Sequence, residues 1–155
     1  SYNALGDVAV VLFFGMIPVT FTYYILTNEI SWEIITAGLA MGLVVDELLI
    51  VNNVRDEIED KQFNKVTTVG IFGSKFMKKV FLFNPIIACG LGFYFMKDVC
   101  APTTWALAII PMLIYSISVY IKLEKYKGKQ LNALLGQASL EALIFALTVV
   151  VVTLL

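Results

Sequence analysis

Five apolar blocks, each about as long as a bilayer is thick, constrain this chain more than anything else in it. They cover roughly residues 5–26, 33–53, 80–96, 103–121 and 132–155. A helix needs about 20 apolar residues to cross the hydrocarbon layer. Within lipid, only helices and closed barrels satisfy their own backbone polar groups. The pattern therefore predicts an all-α transmembrane helical bundle of about five spans. Composition agrees: 59% of the 155 residues are hydrophobic, against roughly 45–50% in an ordinary soluble domain.

The net charge of −1 says little, but the placement of charge says more. Of the 11 basic residues, Arg55, Lys61, Lys65, Lys75, Lys78 and Lys79 lie between the second and third blocks. Lys122, Lys125, Lys127 and Lys129 lie between the fourth and fifth, and Lys97 stands alone. With five spans, both basic loops fall on one side of the membrane. Basic loops stay cytoplasmic, so the N-terminus is expected inside and the C-terminus outside, in the cell (inner) membrane.

Several chemistries drop out. The chain has no histidine, which excludes a Ser-His-Asp triad and His-ligated zinc or haem. Cys89 and Cys100 have no metal spacing; Cys89 reads as a small apolar residue within a span. No phosphate-binding glycine loop, repeat or low-complexity tract is present, and no nucleic-acid partner is expected. The chain starts at Ser1 and enters a span almost at once, so it is expected to be a piece of a longer protein.

Residues 52–73, NNVRDEIEDKQFNKVTTVGIFG, stand out against this background. The second span is expected to continue through them as one helix to about Lys61, ending near Asn64, a residue that tolerates the left-handed conformation. On such a helix Asp56 and Asp60 are neighbours, with Asn52 and Asn53 one turn earlier and Arg55 and Glu57 pointing sideways. Two carboxylates so spaced suit Mg²⁺, which commonly takes one or two, its other positions filled by water and phosphate oxygens. Arg55 and Lys65 could then neutralise the phosphate. A metal and cations at the membrane face fit a lipid diphosphate, head in the rim and tail in the bilayer. The plain alternative is a solvated charged loop. The asparagines weigh against it, because polar groups at membrane depth tend to face a cavity or another helix.

The motif Asn52-Asn53-Val54-Arg55-Asp56, followed by Asp60, Lys65, Thr67 and Gly73, resembles the second aspartate-rich motif of the UbiA superfamily of intramembrane prenyltransferases. Leu5-Gly6-Asp7, Phe13-Phe14-Gly15 and Tyr23-Tyr24 resemble the family's fifth helix and its approach. The resemblance covers essentially the whole chain, as the C-terminal half (helices five to nine) of a nine-helix fold. The N-N-x-R-D form points to the branch that transfers a polyprenyl group from polyprenyl diphosphate to 1,4-dihydroxy-2-naphthoate in menaquinone biosynthesis. It implies Mg²⁺ ligation by Asp56 and Asp60, assisted by Asn52 or Asn53. It also implies contacts from Arg55 and Lys65 to diphosphate, and places Asp7 near the substrate head. Thr67 and Gly73 match the motif and read as structural.

Departures accompany the likeness. Asn64 replaces a small residue. Asp46 and Glu47 stand where the family is apolar or small, and Glu141 is expected at a similar depth. An unpaired charge there costs at least about 2.5 kcal/mol, so Asp46 and Glu141 are expected to be protonated or hydrogen-bonded inside the bundle, with Glu47 roughly opposite Asp56. The first aspartate motif belongs to the missing N-terminal half, so this chain alone is expected to be inactive. Alternatives are a UbiA-type enzyme with another acceptor (4-hydroxybenzoate, homogentisate or a haem), or a non-enzymatic five-span carrier or scaffold. Phe76, Phe81, Phe83, Phe93, Tyr94 and Phe95 read as packing or interface residues; Trp32 and Trp105 read as interface anchors.

Overall fold

A computed structural model describes residues 5–155. Among them every regular element is a helix, and five stretches are long and apolar enough to cross a membrane. They are α1 (Gly6–Thr27), α2 (Trp32–Arg55), α5 (Ser74–Phe95), α6 (Pro102–Lys125) and α7, which runs Asn132–Leu154 after a 3₁₀ turn at Gly128–Leu131. Two short helices, α3 (Glu57–Gln62) and α4 (Thr68–Phe72), lie in the charged stretch between α2 and α5.

Local chemistry sets the boundaries. Ser31 caps α2 by accepting the Ile34 N–H, and Thr67 caps α4 by accepting that of Gly70. Asn28 (φ 58°) ends α1 in the left-handed conformation, and Asn64 adopts it just beyond α3. Gly73, at φ 82°, breaks the chain before α5. The third span therefore begins at Ser74 and carries Lys75, Lys78 and Lys79 in its first turns, earlier than the start near residue 80 expected from hydropathy. Proline leaves two further marks. In α1, the π-wound residues Val11–Met16 lie just ahead of Pro18, whose ring cannot donate and crowds the carbonyl of Phe14. In α6, the helix loosens at Ile109, two residues before Pro111.

Helix α2 is the hub. It packs against α1, α5 and α7, and α6 closes the ring by packing on α5 and α7. The contact between α1 and α2 is made through glycine. A Cβ on Gly15 would meet the backbone of Gly38 and Gly42, and a Cβ on Gly42 would meet the backbone of Val11. Gly38 and Gly42 are four apart, the small-residue spacing that lets membrane helices approach closely. Beyond Gly15, α1 buries no residue completely.

Inside the ring are two apolar clusters. One contains Val44, Ala88, Met112 and Phe145; the other contains Val51, Phe81, Val119 and Ala138. Trp105 belongs to the first. It is 1% exposed and donates its indole N–H to the carbonyl of Cys89 at 2.9 Å. It is thus a core residue and not the interface anchor expected of it; its indole lies flat against Gly92, where a Cβ would overlap it. Trp32, 73% exposed, does lie on the surface.

The glycine contact can be tested by volume. Gly42→Val should detach α1 from α2 and destabilise the protein by about 1–3 kcal/mol, the usual cost of overpacking. Gly90→Ala, where a Cβ meets nothing within 4 Å, should leave the thermal unfolding midpoint in detergent unchanged or higher.

Candidate active site

The end of α2 does not run on as the single helix expected. It breaks at Asp56, whose backbone (φ −94°, ψ 7°) leaves the helical region. Two hydrogen bonds bracket the break: the Asp56 N–H still reaches Asn52 O, and the Asp60 N–H reaches Asp56 O. The axis therefore shifts without the chain leaving. The Arg55 side chain accounts for the local arrangement. It turns back onto its neighbour and forms a two-pronged pair with Asp56, Nε to Oδ1 at 2.6 Å and Nη2 to Oδ2 at 2.7 Å. Nη2 also donates to Asn52 Oδ1 at 2.7 Å, and Nη1 to Asn132 Oδ1 at 3.0 Å. The guanidinium thus ties the end of α2 to the first residue of α7. Its charge holds the Asp56 carboxyl below the usual carboxylate range.

Asp60 has its own cation. Lys65 Nζ lies 3.0 and 3.1 Å from its two oxygens, and Asp60 itself is 8% exposed. The turn at Asn64 brings Lys65 back to it, with Lys65 N–H donating to Asp60 O at 2.9 Å. Beside this pair, Thr68 donates its hydroxyl to Asp7 Oδ2 at 2.8 Å. That contact links α4 to the start of α1.

These pairings sort the sequence-derived residues into two recesses. Asp7, Asn52, Asn53 and Lys65 line one of about 90 Å³, together with Thr67 and Thr68. Arg55 and Asp56 line another of about 400 Å³, with Glu59, Lys129 and Asn132. Asp60 lines neither recess; it stays one helical turn from Asp56, its N–H on Asp56 O, and each carboxylate is already paired with a cation. Asn52 also lines a third space, an apolar trough of about 330 Å³ walled by Val10, Phe14, Val45, Leu48 and Leu135. The smaller recess, in which Asp7, Asn53 and Lys65 stand among apolar surface, shares Leu49 and Asn52 with the trough.

The donor chemistry fits a hard cation in part. Asp56, Asp60, Asn52 and Asn53 offer only oxygen acceptors to it, as Mg²⁺ prefers, and Mg²⁺ commonly takes just one or two carboxylates when phosphate supplies the rest. Among the described residues no three Asp, Glu or Cys side chains gather into a site able to hold a metal unaided. A cation held by these residues would need its other oxygens from elsewhere.

Two members of this site were not singled out in the sequence. Asn132 lies 77 residues from Arg55, in a loop that reads as a basic flank. Thr68 sits beside the more conspicuous Thr67. Their pairings arise only when α7 and α4 are folded against α2 and α1, and no local pattern signals them.

Comparison with known proteins identifies the family. Residues 1–140 match the UbiA prenyltransferase family. The 1,4-dihydroxy-2-naphthoate octaprenyltransferase of Haemophilus influenzae is 29% identical over 148 residues, which is 93% of this chain and 47% of that protein. UbiA prenyltransferase domain-containing protein 1 of Gallus gallus is 29% identical over 145 residues, 88% of this chain and 42% of that protein. The Escherichia coli 1,4-dihydroxy-2-naphthoate octaprenyltransferase is 34% identical over 69 residues, 44% of this chain and 22% of that protein. No solved structure matches. The chain spans about half the length, or less, of these relatives. With the family matched over nearly its whole length, and five helices able to cross a bilayer, the chain belongs to the UbiA prenyltransferase family.

Proposed function

We propose that this chain is the C-terminal half of an intramembrane enzyme that transfers a polyprenyl group from polyprenyl diphosphate to 1,4-dihydroxy-2-naphthoate. The observation that supports the reading is the meeting of two recesses at Asn52 and Leu49: one has Asp7, Asn53 and Lys65 in its lining, and the other is an apolar trough. An amphipathic diphosphate has that same division. The naphthoate acceptor is supported by the names of the Haemophilus influenzae and Escherichia coli relatives. The positive-inside pattern supports a site on the cytoplasmic side of the cell membrane.

In this reading, Val10, Phe14, Val45, Leu48 and Leu135 exclude water and hold the tail. Lys65 and Arg55 meet the diphosphate. Each is held ready by a carboxylate, Asp60 and Asp56, and an incoming diphosphate exchanges with that carboxylate for the cation. The carboxylates so released, with Asn52 and Asn53, are the oxygen ligands for Mg²⁺. When bound, Mg²⁺ stabilises the charge on the departing diphosphate. The cations do the same from the protein side: as the allylic C–O bond breaks, charge accumulates on the diphosphate oxygens they face. The naphthoate ring carbon then forms the new C–C bond, and its carboxyl leaves as CO₂. Asn132 and Asn52 orient Arg55 in this scheme, and Thr68 orients Asp7.

Half of the ligand set belongs, in this reading, to an N-terminal half with its own acidic motif. Membranes containing this chain together with the N-terminal half of the Haemophilus influenzae relative should prenylate 1,4-dihydroxy-2-naphthoate when Mg²⁺ is present. Membranes with this chain alone should not. Asp56→Ala and Asp60→Ala should each reduce the combined activity by at least 100-fold, roughly the loss seen when a charge-stabilising group is removed. Turnover by this chain alone would contradict the need for a second acidic motif.

Lys65→Gln separates binding from folding. The Lys65–Asp60 pair is partly exposed, with Lys65 at 39%, so its loss should cost stability only about 1 kcal/mol or less. The KM for polyprenyl diphosphate should rise about tenfold or more, the effect of a lost charged contact. The KM for the naphthoate should stay within twofold. A raised naphthoate KM instead would move Lys65 to the acceptor side.

A further inference from the structure

The two apolar clusters of the bundle are separated by a polar layer, and each helix of the ring contributes to it. On α2, Glu47 lies between Val44 and Val51. On α6, Ser116 lies between Met112 and Val119. On α7, Glu141 lies between Ala138 and Phe145, and on α5 Asn84 lies between Phe81 and Ala88. The flanking residue nearer the site belongs to one cluster and the other residue to the second, on all four helices. Glu47 and Glu141 are 0% exposed, and Ser116 is 1% exposed.

The pairings in this layer are unequal. Asp46 accepts from Asn84 Nδ2 at 3.2 Å, and the same amide group donates to Leu43 O at 3.1 Å. That pairs Asp46 Oδ2 and leaves its Oδ1 without a partner. Taken as carboxylates, the other two buried acids have nothing: neither oxygen of Glu47 nor of Glu141 has a hydrogen-bond donor, and Ser116 Oγ is also without a partner. Yet Glu47 lies against Glu141, and Ser116 lies against Glu141. The remaining titratable groups around the two are Asp46 on α2, Cys89 on α5 and Tyr115 on α6; no lysine or arginine faces them. Because this half of the protein encloses the pair by itself, no partner for it is left to be supplied from outside.

Helix register gives a second line of support. Arg55 of α2 meets Asn132 of α7. Moving back along α2 by roughly two turns reaches Glu47, and moving on along α7 by roughly two and a half turns reaches Glu141. The two helices run antiparallel, so the two contacts lie at matching levels and belong to one alignment.

We propose that Glu47 and Glu141 share a proton across the α2–α7 interface, with the Ser116 hydroxyl closing the group, and that this clasp positions α7 so that Asn132 meets Arg55. Two carboxylates offer only acceptors, so contact between them requires at least one proton. A shared proton supplies a donor where apolar walls leave no water to do so. Removing it would put two like charges together in a medium that screens them poorly. Glu47 and Glu141 are positioning residues in this scheme, acting on the site through helix register.

The purified chain in lipid nanodiscs suffices for the test, since the pair lies wholly within it. Infrared spectra at neutral pH should show the carbonyl stretch of protonated carboxylic acid. That band should lose intensity in Glu47→Gln and in Glu141→Gln, with Asp46→Asn as the control for the neighbouring acid. The double Gln variant, whose amides can pair, should keep the wild-type unfolding midpoint. Glu47→Leu and Glu141→Leu should loosen residues 132–141, raising their hydrogen exchange roughly tenfold, as the loss of one buried hydrogen bond predicts. Raising the pH should lower the midpoint of the wild type and not of the double Gln variant. An acid band unchanged in both single Gln variants would overturn the proposal. So would a midpoint that rises with Na⁺ or Ca²⁺ over choline at equal ionic strength and loses that response in the double Gln variant, because the pair would then hold a cation.

Discussion

Lipid offers no hydrogen bonds, so every polar group carried on a membrane helix must find its partner in the protein. Helix α2 carries most of that burden here. Along one helix it presents Asp46, Glu47, Asn52, Asn53 and Arg55, and the rest of the bundle is arranged to answer them. Asn84 of α5 answers Asp46, Glu141 of α7 answers Glu47, and Asn132 of α7 takes one donor of Arg55. The glycines of the same helix serve the opposite purpose. Gly38 and Gly42 present bare backbone, and α1 packs there through Gly15. A helix with this load has no lipid-tolerant face wide enough to stand alone, which explains its place at the centre.

The break at Asp56 follows from the same economy. An unbroken helix would stack Asp56 over Asp60, putting two anions on one exposed face. The chain bends at Asp56, ahead of the helical turn that joins them, and each carboxylate has its own cation, Arg55 from the end of α2 and Lys65 from the turn after α3. Both cations are held in place by these pairings. On the proposed function this is preorganisation: the two cations that would meet diphosphate and the two carboxylates that would meet metal are already in contact. Preorganised charge of this kind needs little rearrangement as charge develops on a leaving group.

The sequence made the architecture legible and the pairings only partly so. Five apolar blocks sufficed for the spans, because hydropathy depends on nothing beyond the block itself. Asn64 was readable for the same reason; a left-handed turn is a local event. Trp105 was misread, since an indole near a span end looks the same whether it faces headgroups or the core; its partner, the Cys89 carbonyl, lies on another helix. The third span was read as starting too late because three lysines lower the hydropathy of residues that are nonetheless helical. Asp46 and Glu141 announced themselves by their cost in lipid. Their partners Asn84 and Glu47 did not, because nothing in a sequence pairs residues across 38 positions or more.

Depth separates the two kinds of polar group that result. Near the membrane face, Arg55, Asp56, Asp60 and Lys65 are pairs of opposite charge, and each can trade its partner for a ligand of matching charge. At mid-bundle, Glu47 and Glu141 have no opposite charge to trade. A group of that kind is ill suited to an anionic substrate, since any anion brought to it would add repulsion. Its proposed use lies in holding helices. One helix carries both sets, so the alignment fixed at mid-bundle is transmitted along α2 and α7 to the face, where an error of one residue in register would take Asn132 off Arg55 and leave the guanidinium free to drift from Asp56. The rigid interior and the exchangeable rim are therefore two consequences of the same polar residues, sorted by how far each lies from water.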